Sequence, residues 1–138
     1  MEFVRHRVFS FAQESTRFCN YSKEKFGGEL TFIIPNWIPF IEKNYNVDDL
    51  KEDLPISIYI WLESMLRAEL SYNSLTEDWS AQHARSILPN SLKTDLVMTG
   101  FVSDWKGFFK LRDAAPAHPQ ARELATPLHE EFKNLGYV

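Results

Sequence analysis

The segment from Arg5 to Arg17, RHRVFSFAQESTR, concentrates side chains that bind anions. It holds three arginines, one histidine and two serines, although the chain of 138 residues carries a formal net charge of -4. The planar guanidinium of arginine donates hydrogen bonds in a fork that matches a phosphate or a pair of carbonyl oxygens. The hydroxyls of Ser15 and Thr16 add donors beside Arg17, which suits a phosphate held in a loop. The segment is therefore a candidate site for an anionic or polar ligand.

A cationic run is also compatible with an ordinary solvent-facing surface. Apolar residues of types that are usually buried are interleaved with the cations, however: Val8, Phe9, Phe11 and Phe18. We therefore expect part of the segment to be packed, with its arginines directed at a ligand. His6 on its own is more typical of a packed imidazole than of a catalytic group.

Two arginines elsewhere in the chain are candidates for the same site. Arg85 lies just before Pro89 and a predicted strand. Arg112 follows an aromatic segment and precedes a polar bend that contains His118 and Gln120. Each arginine is also compatible with a surface position or with pairing to a carboxylate.

Composition predicts a single domain over residues 1–138. A hydrophobic content of 44% is too high for a disordered chain. Cys19 is the only cysteine, so no disulfide framework is expected. No window approaches the ~20 apolar residues of a membrane span and no signal peptide is evident, which predicts a cytoplasmic protein. The acidic balance argues against nucleic-acid binding.

Periodicity and breakers predict an α+β fold, with several amphipathic helices and a small antiparallel or mixed sheet. Ile58, Leu62 and Leu66 have helical spacing, whereas residues 92–99 alternate as in a half-buried strand. The predicted elements are a strand over 30–34, a short helix or loop over 39–54, a helix over 55–74, a helix over 81–88 capped by Ser80, a strand over 92–99, a helix capped by Ser103 that ends near Arg112, and a last helix from His118–Pro119 to Gly136. The apolar stripe of the last helix comprises Ala121, Leu124, Ala125, Leu128, Phe132 and Leu135, and Pro127 is expected to kink it.

The spacing of these motifs resembles one family over nearly the whole chain. Arg5-His6-Arg7, followed by Ser15-Thr16-Arg17, is similar to the signature of the flavin-dependent thymidylate synthases, the ThyX family. Later blocks resemble the same family in the same order: ARSILP over 84–89, FKLR over 109–112 and AHPQ over 117–120.

The resemblance implies reductive methylation of dUMP to dTMP. Methylenetetrahydrofolate would give the carbon, and FAD reduced by NADPH would give the hydride to the uracil ring. No enzyme nucleophile attacks the pyrimidine in that chemistry, and Cys19 lacks a recognisable activating context. The resemblance also implies a homo-oligomer, a tetramer with sites at its interfaces. Trp37, Trp61 and Trp105 are compatible either with such interfaces or with the core.

The resemblance assigns roles residue by residue. Arg112 matches the arginine that stabilises charge developing on the uracil N3-C4-O system, which is the catalytic role. The positions that hold dUMP match Arg5, Gln13, Ser15, Thr16, Arg17, Arg85 and Arg112. The positions that line FAD match Arg5, His6, Arg7, Val8 and His118. No metal site is expected.

The chain departs from the family pattern at several positions. An amide and a cation that usually follow the strand are replaced by Phe101 and Ser103, and Gly107 and Ala12 stand at other polar positions. The bend at 113–117 is longer by two residues, and the family's N-terminal portion is expected to be missing. These departures favour an alternative function, a catalytically inactive protein of this family that binds a pyrimidine nucleotide or a partner.

Overall fold

The computed structural model describes residues 3–23, 28–38 and 54–138. Its elements are the helices α1 (Ile56–Asp78), α2 (Ala81–Ala84), α3 (Val102–Arg112) and α4 (Pro119–Asn134), the strands β1 (Ser10–Gln13) and β2 (Leu96–Thr99), and the 3-10 turns Phe3–Arg5 and Arg85–Ile87. The chain divides into two compact units. Unit 1 comprises Met1–Gln13 and Asp95–Val138, and unit 2 comprises Glu14–Thr94. The α+β class is confirmed, while the single domain stays a prediction.

Unit 1 contains the two-stranded antiparallel sheet. Gln13 of β1 lies opposite Leu96 of β2, so the sheet joins the two chain segments that make up unit 1. The predicted alternation of β2 is confirmed, because Leu96 and Met98 are half-buried while Val97 and Thr99 are exposed. The strand is shorter than the predicted 92–99, since its partner β1 has only four residues.

Helices α3 and α4 pack an aromatic core in unit 1. Phe108 and Phe109 of α3 are each only 2% exposed and cluster with Phe9 and with Ala125 of α4. The Trp105 ring lies across Phe9 with centroids 4.8 Å apart, which assigns this tryptophan to the core. The predicted stripe of α4 is confirmed at Ala121 and Ala125, which are buried. It is wrong at Leu124 and Leu135, which are 62% and 55% exposed.

Hydrogen bonds close the start of α3 and the end of α4. The prediction that Ser103 caps α3 is wrong, because the Asp104 carboxylate accepts the Phe101 N–H at 3.2 Å and the helix begins at Val102. The predicted end of α4 is confirmed. Gly136 has a φ of 74°, and the Tyr137 N–H donates to the Phe132 carbonyl, as in a left-handed helix terminus. The helix continues through Pro127, and the kink there stays a prediction.

Unit 2 is built on α1, which is longer than predicted. Tyr72 is 0% exposed and clusters with Tyr21, Leu30 and Ala84. Leu75, one turn after Tyr72, packs against the same cluster. The packing therefore carries the helix through Asn73 and Ser74, where the local sequence predicts its end.

The strand predicted over 30–34 is wrong. Only one antiparallel bridge forms there, between Phe32 and Leu92, with hydrogen bonds from the Ile33 N–H to the Ser91 carbonyl and from the Lys93 N–H to the Thr31 carbonyl, both 2.8 Å. In this register the next hydrogen-bonded pair would join Pro35 and Pro89. Neither proline has a backbone N–H, so the ladder cannot continue.

The helix predicted over 81–88 is interrupted. It consists of α2 followed by the 3-10 turn Arg85–Ile87, because Leu88 precedes Pro89 and adopts an extended conformation with ψ 128°. Ser80 occupies the cap position, but its carbonyl rather than its side chain makes the cap, accepting the His83 N–H at 2.9 Å. Most of the segment predicted at 39–54 lies outside the described residues.

Candidate functional site

In unit 2, two of the predicted arginines are joined to one short turn. Thr16 and Arg17 occupy the turn after Ser15, whose carbonyl accepts the Phe18 N–H at 3.0 Å. Arg85 donates from Nη1 to the Thr16 hydroxyl at 3.2 Å. Arg17 donates from Nε to the Gln82 carbonyl oxygen at 3.1 Å. The turn and the α2 region therefore hold Arg17 and Arg85 beside the hydroxyl-bearing residues predicted with them.

The charges of this pair remain available to an anion. Both arginines are exposed, and within the described residues no carboxylate forms an ion pair with either. The Arg17 guanidinium lies 5.2 Å from the centroid of the Phe18 ring, which is 76% exposed. The donors and charge around Thr16 match what a phosphate monoester requires.

Glu14, which directly follows β1, affects the pKa of the nearby Tyr21 phenol. Burial, together with the nearby Glu14 carboxylate, raises the pKa of Tyr21 to about 12. The phenol therefore stays protonated at neutral pH.

In unit 1, Arg112 is joined to the predicted flavin-binding histidine. Its Nε donates to His6 Nε2 at 2.9 Å, which requires that nitrogen to be unprotonated. The His6 ring lies 5.0 Å from that of Phe108 and packs edge-on against Phe9. His6 is thus a packed imidazole that also orients an arginine.

The remaining predicted residues of unit 1 lie at exposed positions. Arg7 and Val8 occupy the corner of a turn closed by the Phe9 N–H and the His6 carbonyl at 3.1 Å. Arg5 is exposed at the end of the first 3-10 turn, and His118 is exposed at the N-cap of α4. Gln13 is exposed at the end of β1.

The sequence predictions missed one polar cluster at the end of α3. Asp113 accepts from the Thr126 hydroxyl at 2.5 Å through Oδ1, and its Oδ2 lies 2.7 Å from His129 Nδ1. These bonds, first that from Thr126 and then that from His129, lower the pKa of Asp113. The available signal was the i, i+3 spacing of Thr126 and His129 on α4, which puts both on one face. Gln82 was also missed, although its i, i+3 spacing to Arg85 indicates a shared face.

The predicted residues therefore form two groups, one in each unit. Unit 2 brings together Ser15, Thr16, Arg17 and Arg85, and unit 1 joins Arg112 to His6. The convergence of Arg112 with the unit 2 arginines on one ring stays a prediction. Within the described ranges, no group of His, Cys, Asp and Glu is arranged to hold a metal ion. No helix of that part of the chain is long and apolar enough to cross a bilayer.

Comparison with known families gives a match along nearly the whole chain. The family model described as "Thymidylate synthase complementing protein" matches residues 1–135. The flavin-dependent thymidylate synthase of Pyrococcus furiosus is 31% identical over 131 residues, covering 95% of this chain and 48% of that protein. That of Thermococcus kodakarensis is 33% identical over 132 residues, with the same two shares. The chain thus spans about half the length of these relatives.

A solved structure shares the fold. ThyX from Helicobacter pylori, in a crystal structure with FAD and dUMP, superposes with a TM-score of 0.62 at 20% sequence identity. The match covers 94% of this chain and 59% of that one.

Proposed function

Because the chain belongs to the thymidylate synthase complementing protein family, we propose that it carries part of the machinery for reductive methylation of dUMP to dTMP. The relatives named above are flavin-dependent thymidylate synthases, and the similar crystal structure holds FAD and dUMP. Since the chain spans about half of those relatives, the proposal concerns the site residues that this half contributes.

The observation that carries the proposal is the arginine pair around Thr16. Arg17 and Arg85 are exposed, uncommitted to any described carboxylate, and fixed by Gln82 and Thr16. Two guanidinium groups with nearby hydroxyls suit the dianionic phosphate of dUMP, to which they donate charge-assisted hydrogen bonds. We assign Ser15, Thr16, Arg17 and Arg85 to phosphate and sugar binding, with Arg5 and Gln13 as further nucleotide contacts.

Arg112 takes the catalytic role. Its Nε donates to the unprotonated Nε2 of His6, and this hydrogen bond orients the guanidinium. A fixed positive charge next to the uracil N3-C4-O system stabilises negative charge that develops there during the transfer. The proton on a guanidinium is not lost near neutral pH, so Arg112 acts as an electrostatic stabiliser rather than as an acid.

The residues before β1 fit a flavin cofactor. Arg5 and Arg7 are exposed cations that pair with no carboxylate in the described part of the chain, which suits the diphosphate of FAD. We assign FAD binding to Arg5, His6, Arg7, Val8 and His118. FAD, when bound, supplies the hydride, with NADPH as its reductant and methylenetetrahydrofolate as the carbon donor. Phe101 is 81% exposed where the family pattern has a polar group, so FAD affinity is expected to be reduced.

The proposal is tested by comparing arginine variants. Arg17→Ala and Arg85→Ala should each weaken dUMP binding ~10- to 100-fold in calorimetry, because each removes a charged donor to the phosphate. Arg112→Ala should lower the rate of dTMP formation ~100-fold or more while dUMP still binds, as expected for loss of a transition-state contact. Flavin absorbance of the purified protein checks the cofactor.

Arg67→Ala is the matched control. Arg67 is exposed on α1 and already committed to Glu63 at 2.8 Å, so its loss should leave dUMP affinity unchanged. If Arg67→Ala weakened dUMP binding as much as Arg17→Ala or Arg85→Ala does, the loss of affinity would reflect net charge alone. That result would contradict the assignment of the phosphate site. A protein that binds dUMP but neither FAD nor folate would instead be a catalytically inactive nucleotide-binding member.

A further inference from the structure

We propose that Asp113, Thr126 and His129 are positioning residues that hold Arg112 at the end of α3. The inference rests on the role of Arg112 in the proposed function. It concerns a cluster that the sequence motifs do not include, formed by Asp113 at the end of α3 and by Thr126 and His129 of α4.

The first support is that both oxygens of Asp113 are held by α4. The Thr126 hydroxyl donates to Oδ1 at 2.5 Å, and His129 Nδ1 lies 2.7 Å from Oδ2. The side chains of His129 and Asp113 are 23% and 16% exposed, so solvent competes weakly for this pair. Because Thr126 and His129 lie one turn apart on the same face, the carboxylate is fixed in two directions.

The second support is that Asp113 and His129 also contact Phe109 of α3. The Asp113 N–H donates to the Phe109 carbonyl at 2.9 Å, and the His129 ring stacks on the Phe109 ring with centroids 4.4 Å apart and planes at 10°. Phe109 is 2% exposed. The last turn of α3 is therefore held by a backbone hydrogen bond from Asp113 and by the His129 ring stacked on Phe109.

Arg112 lies next to these contacts along the chain. Arg112 is the last residue of α3, directly before Asp113, and its guanidinium donates to His6, which packs on Phe108. A shift of Asp113 would move the Arg112 backbone relative to His6. Displacements of about 1 Å at a reacting centre are known to reduce rates ~100-fold, so such a shift should be visible in turnover.

The cluster is not itself arranged for nucleophilic catalysis. The Thr126 proton is directed at the Asp113 carboxylate, whose lowered pKa makes it a poor base for activating the hydroxyl. His129 is stacked face to face on a buried phenylalanine. We therefore expect the cluster to affect the rate of the reaction through the position of Arg112.

The experiment compares two substitutions at one position. Thr126→Val keeps the shape of the side chain but removes the donor, and Thr126→Ser keeps the donor. We expect Thr126→Val to lower kcat for dTMP formation ~10-fold with the KM for dUMP within ~2-fold, and Thr126→Ser to restore kcat. Lys133→Met is the control, because it breaks an exposed pair with Glu130 on the same helix and should change neither constant.

A second measurement needs no ligand and no turnover. The Nε–H resonance of Arg112, identified by its loss in Arg112→Lys, should be observable in the full chain because His6 accepts that hydrogen. It should broaden or shift in Thr126→Val and be retained in Thr126→Ser and Lys133→Met. If Thr126→Val does not fold by circular dichroism, Asp113→Asn replaces it in both measurements.

The outcomes separate the two proposals. A wild-type resonance in Thr126→Val overturns the positioning role whatever the protein binds. An altered resonance with unchanged kcat overturns the effect on catalysis. Failure of the wild-type chain to bind dUMP overturns the proposed function, and with it the link to catalysis, while the resonance still reports whether Asp113 and its partners hold Arg112.

Discussion

The effect of an arginine on developing negative charge depends on what surrounds its guanidinium. Arg112 is followed directly in the chain by a carboxylate, Asp113, which would weaken its field if the two paired. Both oxygens of that carboxylate are instead engaged by α4, through Thr126 and His129. Arg112 itself donates from Nε to the unprotonated Nε2 of His6 at 2.9 Å. The contacts with α4 therefore hold the Asp113 carboxylate against that helix.

The pKa of Asp113 gives a prediction at this scale. Because its pKa is lower in the folded than in the unfolded protein, the ionised carboxylate contributes stability above its ordinary value of ~3.9, and this contribution is lost as pH falls through the folded value. Asp113→Asn should therefore be less stable than wild type at pH 7, with a difference that shrinks below about pH 4. Urea unfolding at a series of pH values measures this.

Asp78→Asn is the matched control, since Asp78 is exposed at the end of α1. It should change the free energy of unfolding little at any pH. A stability difference for Asp113→Asn that stays constant from neutral to acid pH would contradict the role of the ionised carboxylate.

At the scale of elements, the start of α3 depends on a close approach between the β2–α3 junction and the aromatic core. A Cβ at Gly100 would lie 2.6 Å from a ring carbon of Phe9, which is buried in the unit 1 cluster. Gly107, inside α3, has open space around the corresponding position. The two glycines therefore have opposite consequences for the stability of the same helix.

Alanine substitutions at the two glycines test this contrast. Gly100→Ala should lower the free energy of unfolding by ~1–3 kcal/mol, because it forces the Phe9 ring out of its packing. Gly107→Ala should raise it by ~0.5–1 kcal/mol through better helix propensity. Thermal and urea unfolding of both variants provide the measurement. A stabilising Gly100→Ala would show that Phe9 repacks without cost.

The sequence predicted the elements whose signals are local. The end of α3 follows from the Ala114–Pro116 bend, the end of α4 from Gly136, and the start of α1 from Pro55. β1 was not predicted, because a four-residue strand depends on a partner 83 residues away in the chain. The strand over 30–34 was predicted wrongly because the register that opposes Pro35 to Pro89 is a property of the tertiary structure.

The same distinction applies to the candidate site. The cationic residues of the first motif, with Arg85 and Arg112, were found because their types and order are visible in the chain. Asp113 and His129 were not found, since their pairing depends on how α3 packs against α4. Gln82 was missed for the same reason, because its hydrogen bond with Arg17 joins residues that are far apart in the sequence.

At the scale of the whole molecule, much apolar surface stays exposed in the single chain. Phe101, Phe18 and Ile56 are 81%, 76% and 73% exposed, and Trp37 is 61% exposed. Exposed apolar surface of this kind is typical of proteins that associate. We therefore propose that the chain forms a homo-oligomer, with four copies as the number that the family resemblance implies.

Sedimentation equilibrium tests this expectation. The measured mass should be a small multiple of the 16.2 kDa chain, with four copies expected, and should fall toward one chain only on strong dilution. Ile56→Lys, which places a charge on an exposed apolar position of α1, is a suitable disruptive variant. A single-chain mass at tens of micromolar would contradict the assembly.

The pairing of β1 with β2 also has a consequence for biosynthesis. Leu96 follows Gln13 by 83 residues, so a ribosome that adds ~5–20 residues per second exposes the first strand several seconds before its partner exists. During that interval Phe9 and Phe11 have no sheet or helix of unit 1 to cover them, whereas residues 14–94 can already begin to associate with each other. The segment that contains Phe9 and Phe11 is thus a natural target for chaperones until β2, α3 and α4 have been synthesised.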